Sequence, residues 1–279
     1  MNRIRALLQD KQDVLTKSER RVAEWFERNL EQFAFLTVNE VSRQTEVSEA
    51  TIVRFARKLG FESYSALQRE VQFAVQRQFS LGDRLQQTLE DGDEGPLRRA
   101  YRRDLDNLRR TYEQADEATF AEAVEAIAKA RRVGVVGLRA SAGAAVYLSF
   151  ALNLLRPEVA LIRQDLDHVH DQLLDFSPQD ALIAVSLARP ARKTLETVQE
   201  AKQLYGVTVV ALTNSAVSPL ARHADHVLIV AGEGTFNSYA ATFSIAGALL
   251  DAVAATLRDT ATARLRRLDA VNAEDIYAS

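Results

Sequence analysis

The chain contains no cysteine among its 279 residues. Disulfide bonds and metal sites built on thiolates are therefore excluded, and the composition is typical of a reducing compartment. The first residues, MNRIRALLQDKQDVL, lack the apolar core of a secretory signal. The apolar run YAATFSIAGALL ends at Asp251, well short of the ~20 residues that a membrane-spanning helix needs. These absences predict a soluble, cytoplasmic protein with no membrane partner.

The sequence also lacks a strong excess of charge of either sign. Its net charge is -3, with 47% hydrophobic and 26% charged residues, a balance typical of globular proteins with a sizeable core. Residues 1–80 hold 13 Lys and Arg against 11 Asp and Glu. That small excess is by itself a weak sign of nucleic-acid binding. Whether residues 1–80 bind nucleic acid must therefore be judged from where the basic residues lie.

The two halves of the chain differ in pattern. Residues 1–80 show apolar residues at helical spacing, such as Val22 and Phe26, and no strand pattern. A Gly- and Asp-rich turn and a charged helical stretch from Leu97 follow, and they favour a connector. We predict an all-α domain at 1–80, a connector at 81–115, and a doubly wound α/β domain with five parallel strands at 116–279. The strands are predicted in the apolar runs RVGVVGL, VALIR, ALIAVSL, VTVVALT and HVLIV, which alternate with helical segments.

The stretch VSEATIVRFARKLGF, residues 47–61, has the features of a recognition helix. Ser48 is a favourable N-cap, Gly60 a favourable stop, and Ile52, Phe55 and Leu59 fall on one face. With the short helix upstream and a turn at Glu46, it predicts a helix-turn-helix. An amphipathic helix with merely solvated arginines is the alternative that the cap, the turn and the preceding helix disfavour. The residues expected to contact DNA bases or phosphates are Ser48, Thr51, Arg54, Arg57 and Lys58.

Two strand ends in the second half carry polar residues just before a helix. Carboxyl ends of parallel strands form the ligand-binding edge of such a sheet, and helix N-termini and arginines attract anions. The glycine fingerprint of dinucleotide sites is absent, so we predict a small anionic ligand. Simple helix caps and surface charges are the alternative. The residues expected to bind the ligand are Gly137, Arg139, Ser141, Ser186, Arg189 and Thr194.

Three further polar residues carry weaker signals. His168 and His170 form an H-x-H pair without a converging ligand set, so we expect no metal site. Glu233 follows the fifth strand, but no second acid–base group is visible beside it. We therefore expect no catalytic residue and no cofactor.

Residues 37–71, TVNEVSRQTEVSEATIVRFARKLGFESYSALQREV, closely resemble the N-terminal domain of the RpiR family of bacterial transcription regulators. The second half resembles a sugar isomerase (SIS) domain, through Gly137, Ser141, Asp180, Ser186 and the segment TNSAVSPLARHADHVL at 213–228. The resemblance implies a regulator of carbohydrate metabolism that binds a double-stranded DNA operator, senses a sugar phosphate and forms a homodimer or homotetramer. A phosphosugar isomerase or lyase with an accessory N-terminal domain is the alternative.

Several positions depart from the family pattern. Glu46 stands where the turn usually has Gly, which we expect to change little. Arg139 replaces the second glycine of the first loop, and SLARPARKT at 186–194 replaces the usual S-x-S-G-x-T. Our hypothesis is that Arg139 and Arg189 have taken over anion binding. The resemblance also places His170 near the mouth of the ligand site.

Overall fold

The computed structural model divides the chain into two units, Met1–Glu90 and Asp91–Ser279, each with its own hydrophobic core. The described residues are 7–8, 11, 15–34, 36–78, 81–90, 95–163, 169–188, 190–216 and 218–272. The predicted domain boundaries at 80 and 115 stay predictions.

The first unit is all α-helical in its described residues. Thr16 and Thr37 each cap a helix through a capping box with a glutamate three residues later, which satisfies backbone N–H groups at both helix starts. The core is aromatic: the ring of Phe26 meets Phe33 at 4.5 Å and Phe55 at 5.8 Å, edge to face. Its helices are α1 (Lys17–Arg28), α2 (Leu30–Phe33), α3 (Val38–Thr45), α4 (Glu49–Lys58), α5 (Tyr64–Gln78) and α6 (Leu81–Glu90).

The second unit is built on a parallel five-stranded sheet in the order β2-β1-β3-β4-β5. Strands β1 and β3 are buried along their whole length because helices cover both faces, which explains their continuous apolar sequences. In register, Gly137 pairs with Val185, and Ser186 pairs with Thr213. Three strand ends therefore meet at one edge of the sheet. The strands are β1 (Val133–Gly137), β2 (Val159–Leu161), β3 (Ala181–Ser186), β4 (Thr208–Thr213) and β5 (His226–Ile229).

The helices of the second unit include the charged stretch that the sequence predicted as a connector. This helix, α7, packs against α12 and buries Asn107 and Thr111, so it is part of the second unit. Among the described residues no helix alone is long and apolar enough to cross a membrane; α12 and α13 meet that test only together, with a bend of 106° between them. The helices are α7 (Pro96–Glu113), α8 (Glu117–Lys129), α9 (Ala142–Leu155), α10 (Val169–Leu173), α11 (Arg192–Tyr205), α12 (Ala240–Thr256) and α13 (Arg258–Asn272).

Candidate functional site

The turn between α3 and α4 is fixed by its backbone and by one hydroxyl. Glu46 adopts the left-handed conformation, with φ 52° and ψ 40°, which is the conformation that glycine would supply without a steric cost. Ser42 Oγ donates to the Val47 carbonyl at 2.6 Å. Glu46 also forms an exposed ion pair with Arg21 of α1. The turn thus sets α4 against α3 and α1.

A chain of hydroxyl contacts runs along the start of α4. Ser48 caps the helix and accepts from the Thr51 N–H at 3.3 Å, which confirms the predicted cap. The Ser48 and Thr51 hydroxyls lie 2.9 Å apart, and Arg54 donates to Thr51 Oγ1 at 3.0 Å. Thr51 itself is buried. Its hydroxyl therefore links Ser48 to the exposed Arg54, and its predicted contact with DNA stays a prediction.

Lys58, predicted to contact a phosphate, is engaged elsewhere. Its ammonium lies 2.6 Å from the carboxylate of Glu19, which is only 2% exposed. The same carboxylate oxygen accepts from the N–H and the hydroxyl of Thr16 at the start of α1, each at 2.8 Å. Burial raises the pKa of Glu19, but the bonds from Lys58 and Thr16 outweigh it and leave the pKa below its usual value. Lys58 thus ties the end of α4 to the start of α1.

Ser48, at the start of α4, and Arg54 and Arg57, further along the helix, are all exposed. Arg57 Nε donates weakly to the Glu62 carbonyl at 3.4 Å. Guanidinium groups can bind guanine edges in a bidentate way or neutralise phosphates. Of the five residues predicted to contact DNA, the structure therefore exposes Ser48 at the start of α4 and Arg54 and Arg57 further along it, while Thr51 and Lys58 also have partners within the unit.

The first loop at the carboxyl edge of the sheet joins β1 to α9. A Cβ at Gly137 would lie 2.8 Å from the Ser141 carbonyl oxygen, so only glycine fits there. Arg139 has a positive φ of 55° and is exposed. Ser141 is buried, and its hydroxyl lies 3.0 Å from the hydroxyl of Tyr239. The loop therefore has a fixed backbone and one cationic side chain open to solvent.

The second loop joins β3 to α11. Ser186 is buried at the end of β3, and Thr194 is buried in the first turn of α11. Thr194 Oγ1 has no hydrogen-bond partner among the described residues, although buried hydroxyls nearly always have one. Arg189, predicted to bind the ligand, lies outside the described residues. The edge thus carries a buried hydroxyl that a ligand oxygen could satisfy.

His170 and Glu233, two further polar residues considered in the sequence, each form an ion-pair contact. His170 forms an ion-pair contact with Glu200 of α11, six residues beyond Thr194 and so about 9 Å along the helix. The structure therefore does not bring His170 to Thr194. Glu233 is ion-paired with Arg110 of α7. His168 lies outside the described residues, and in the part of the chain that the structure does describe no group of three potential metal ligands occurs.

Sequence reasoning missed two residues of this edge. Tyr239 precedes α12, and its hydroxyl meets Ser141. Asn237 donates weakly to the Ala188 carbonyl at 3.5 Å. Both reach loops that lie far away in sequence, and no spacing or motif in the loop 231–239 signals those contacts. The loop after β5 therefore touches both predicted ligand loops.

Two family models match the chain: a helix-turn-helix domain of the rpiR family over residues 2–78, and a SIS domain over residues 126–255. An RpiR transcription factor from Sphaerobacter thermophilus, solved as its sugar isomerase domain, is 35% identical, with a TM-score of 0.58; the match covers 61% of this chain and 96% of that one. An uncharacterized HTH-type transcriptional regulator from Haemophilus influenzae is 28% identical over 82% of this chain and 78% of its own.

The structure of the Vibrio vulnificus NanR protein complexed with ManNAc-6P is similar in fold over nearly the whole length. It is 21% identical, with a TM-score of 0.61, over 98% of this chain and 99% of that one. The family assignment rests on the two family models and on the 35% identical relative. It is consistent with the two units of the structure. The chain belongs to the RpiR family of transcription regulators, with an N-terminal helix-turn-helix domain and a C-terminal SIS domain.

Proposed function

We propose that the SIS domain of this regulator senses a sugar phosphate or a related anionic metabolite, and that ligand binding changes the occupancy of a double-stranded DNA operator. The observation that carries the proposal is the buried, unpartnered hydroxyl of Thr194 at the start of α11. A phosphate oxygen there would satisfy that hydroxyl and meet the free N–H groups of the helix start. The NanR complex with ManNAc-6P is consistent with this ligand class.

Other residues complete the proposed ligand site. Gly137 and Ser186 end neighbouring strands at the same edge, and the exposed Arg139 stands at the first loop. A guanidinium there would pair with a phosphate in the manner expected of arginine. Arg189 is proposed to assist from the second loop. Ser141 and Tyr239 are proposed to hold the first loop in shape.

On the DNA side, we propose that Arg54 contacts a base edge and that Arg57 and Ser48 contact phosphates. The exposure of Ser48 at the start of α4 and of Arg54 and Arg57 along it supports this assignment. Two copies of the chain would read two half-sites about one helical turn apart, or multiples of that, so the acting form is a homodimer or homotetramer in the cytoplasm.

The experiment that tests DNA recognition is selection of genomic fragments by the full chain, followed by sequencing. Arg54→Ala should weaken binding to the enriched site by roughly 5- to 150-fold, the equivalent of about 1–3 kcal/mol. Arg57→Ala should instead lower the slope of log K against log salt by about 1. Arg28→Ala, which removes an exposed arginine of α1, is the matched control and should leave both quantities unchanged. Equal enrichment by Arg54→Ala would refute the assignment.

An isomerase or lyase is the second candidate function, because the second half of the chain matches a SIS domain and a solved structure of similar fold from Bacteroides fragilis is named as a phosphosugar isomerase. Against it, the Glu233 carboxylate is tied to Arg110, and the relatives found along most of the chain are named transcriptional regulators. We propose that the chain is not an enzyme. Turnover of any member of a sugar phosphate panel, abolished by Glu233→Gln, would overturn this.

A further inference from the structure

A cavity in the second unit lies beside β5, the last strand in the order of the sheet. It has a volume of about 340 Å³ and is walled by the end of α7, the start of α8 and one side of α12. Sites for small molecules typically have volumes of about 300–1,000 Å³. None of the described residues proposed to bind the sugar phosphate lines this cavity. It is therefore a candidate site separate from the ligand loops.

The walls of the cavity are mainly apolar. Leu228 of β5 is buried, and Leu108, Phe120 and Ile245 are partly buried around it. Tyr112 also lines the cavity but is 81% exposed, so the cavity is open to solvent on that side. The apolar part of a ligand would be removed from water against these side chains, which favours binding.

The charged residues of the cavity are both acidic. Asp116 and Glu117 lie at the start of α8 and are exposed, and no lysine, arginine or histidine occurs among the described lining residues. The two flanking arginines of α7, Arg109 and Arg110, are both held in ion pairs. Two carboxylates also exceed the partial positive charge of about 0.5 at a helix start. The charge of the cavity therefore favours a cation and disfavours a phosphate.

The Asp116 carboxylate is fixed in place as the cap of α8. It accepts from the Thr119 hydroxyl and from the Thr119 N–H at 2.9 Å. These bonds hold the pKa of Asp116 below its ordinary value. The carboxylate is therefore charged at neutral pH and needs no reorganisation to receive a cation.

We infer that this cavity is a second ligand site, which binds a compact organic amine with an aromatic body and one ammonium group. The body would lie against Leu108, Phe120 and Leu228, and the ammonium group near Asp116 and Glu117. Aromatic side chains in the wall favour an aromatic ligand and a cation near it. Binding of the amine does not depend on whether the second unit binds a sugar phosphate.

One hydrogen bond links the cavity to the loop after β5. Thr111 lines the cavity, and its Oγ1 accepts from the Ala231 N–H at 2.9 Å. Ile229, two residues before Ala231, lines the cavity as well. The loop 231–239 touches both predicted ligand loops. An amine in the cavity should therefore restrain this loop and change the affinity for a sugar phosphate, a consequence that rests on the proposed function.

Three probes with similar bodies and different charges test the site in the full chain: phenethylamine, phenethyl alcohol and phenylacetate. A probe of about nine non-hydrogen atoms should have a dissociation constant on the order of 1 mM. In methyl NMR spectra of isoleucine-labelled protein, phenethylamine should shift the signals of Ile229 and Ile245 and leave that of Ile52, in the first unit, unchanged. Phenylacetate should bind roughly tenfold more weakly. Equal binding of the amine and phenylacetate would overturn the inference, as would unshifted Ile229 and Ile245 signals with every probe at about 10 mM.

Variants of the cavity wall separate its shape from its charge. Ala248→Phe should fill the cavity and abolish the shifts, whereas Ala255→Phe, at an exposed position of the same helix outside the cavity, should keep them. Asp116→Asn/Glu117→Gln removes both charges and keeps a favourable helix cap. It should weaken phenethylamine by roughly fivefold and leave phenethyl alcohol unchanged. Glu125→Gln, further along α8, should change neither affinity. An unchanged affinity for the amine in the double variant would overturn the ligand class.

Hydrogen exchange tests the link to the loop. Saturating phenethylamine should slow exchange at the Ala231 amide in the wild type and have no effect in Ala248→Phe. Unchanged exchange at Ala231 alongside shifted Ile245 signals would overturn the link. Sugar phosphates that fail to bind would overturn the proposed function alone, because none of these measurements uses a sugar phosphate.

Discussion

At the scale of single residues, Glu46 has a strained backbone conformation, because the turn requires a positive φ at this position. Its φ of 52° brings the Cβ close to the following carbonyl oxygen, at a cost of about 1–2 kcal/mol for a non-glycine residue. The ion pair with Arg21 offsets only part of that cost, because exposed pairs contribute little. Glu46 holds the left-handed conformation without glycine, and the expectation from sequence that this replacement changes little stays a prediction.

We predict that Glu46→Gly is more stable than Glu46→Ala by about 1 kcal/mol, since both variants lose the ion pair and only glycine relieves the strain. Urea unfolding followed by the fluorescence of Trp25, the only tryptophan of the chain, reports on this unit. Equal midpoints for the two variants would show that the turn is not strained.

Glu19 makes the first unit sensitive to acid. Its pKa is lowered in the folded state, so its contribution to stability is fully present above the unfolded value of 4.5 and is lost as the pH falls through the folded pKa. The difference in unfolding free energy between the wild type and Glu19→Gln should therefore shrink below about pH 4.5. Trp25 fluorescence in urea at several pH values measures it, with the exposed Glu24→Gln as control. A constant difference down to pH 3 would contradict the prediction.

These residues show which local features a sequence can predict. The Ser48 cap and the stop at Gly60 depend on neighbours a few residues away, so they were predictable. The pairing of Lys58 with Glu19 spans 39 residues and depends on how α4 packs against α1. The sequence pattern therefore does not reveal this partner of Lys58, and the phosphate contact expected of Lys58 stays a prediction.

At the scale of elements, α7 makes contacts that its composition does not reveal. Its charges predicted a connector, yet the Asn107 carboxamide accepts from the Glu233 N–H and donates to the Glu233 carbonyl, each at 3.0 Å. Thr111 Oγ1 accepts from the Ala231 N–H at 2.9 Å. The helix thus holds the loop after β5 by its backbone, and the partners lie more than 100 residues away, beyond the reach of periodicity.

Asn107→Ala should destabilise the second unit by about 1–3 kcal/mol, because two backbone groups of Glu233 lose their partner. It should also speed hydrogen exchange at the Glu233 and Ala231 amides. Exchange measured by NMR or mass spectrometry checks this, with the exposed Arg109→Ala of the same helix as control. Unchanged exchange at Glu233 would mean that this bond does not hold the loop.

The strands illustrate what was predictable at this scale. Continuous β-branched runs identified all five strands and their burial between two layers of helices, since parallel sheets are covered on both faces. The strand order β2-β1-β3-β4-β5 could not be predicted from these apolar runs. It follows from packing and crossover connections that no local pattern records.

At the scale of the whole molecule, the ligand edge could be predicted only in outline. Parallel strands end at one edge, so the placement of Gly137 and Ser186 together followed from the fold class. The contact of Tyr239 with Ser141 and the position of His170 beside Glu200 depend on loops, where sequence gives little guidance. The resemblance to SIS domains supplied the ligand class, and the geometry supplied the unpartnered Thr194 hydroxyl.

The Thr194 hydroxyl allows an effect on ligand binding to be distinguished from an effect on the stability of the fold. Thr194→Val removes a buried group without a partner, so the ligand-free protein should be as stable as the wild type or more stable by up to about 1 kcal/mol. Thr197→Val on the same helix removes a hydroxyl that donates to the Lys193 carbonyl at 2.8 Å and should lower the free energy of unfolding by about 0.5–1.5 kcal/mol.

Ligand affinity should follow the opposite order. Calorimetric titration with hexose and aminosugar 6-phosphates, including ManNAc-6P, should show binding weakened at least tenfold in Thr194→Val and kept in Thr197→Val. Opposite orders of stability and ligand affinity in the two variants are expected if Thr194 serves ligand binding at a cost in stability. Equal affinities in the two variants would show that Thr194 does not bind the ligand.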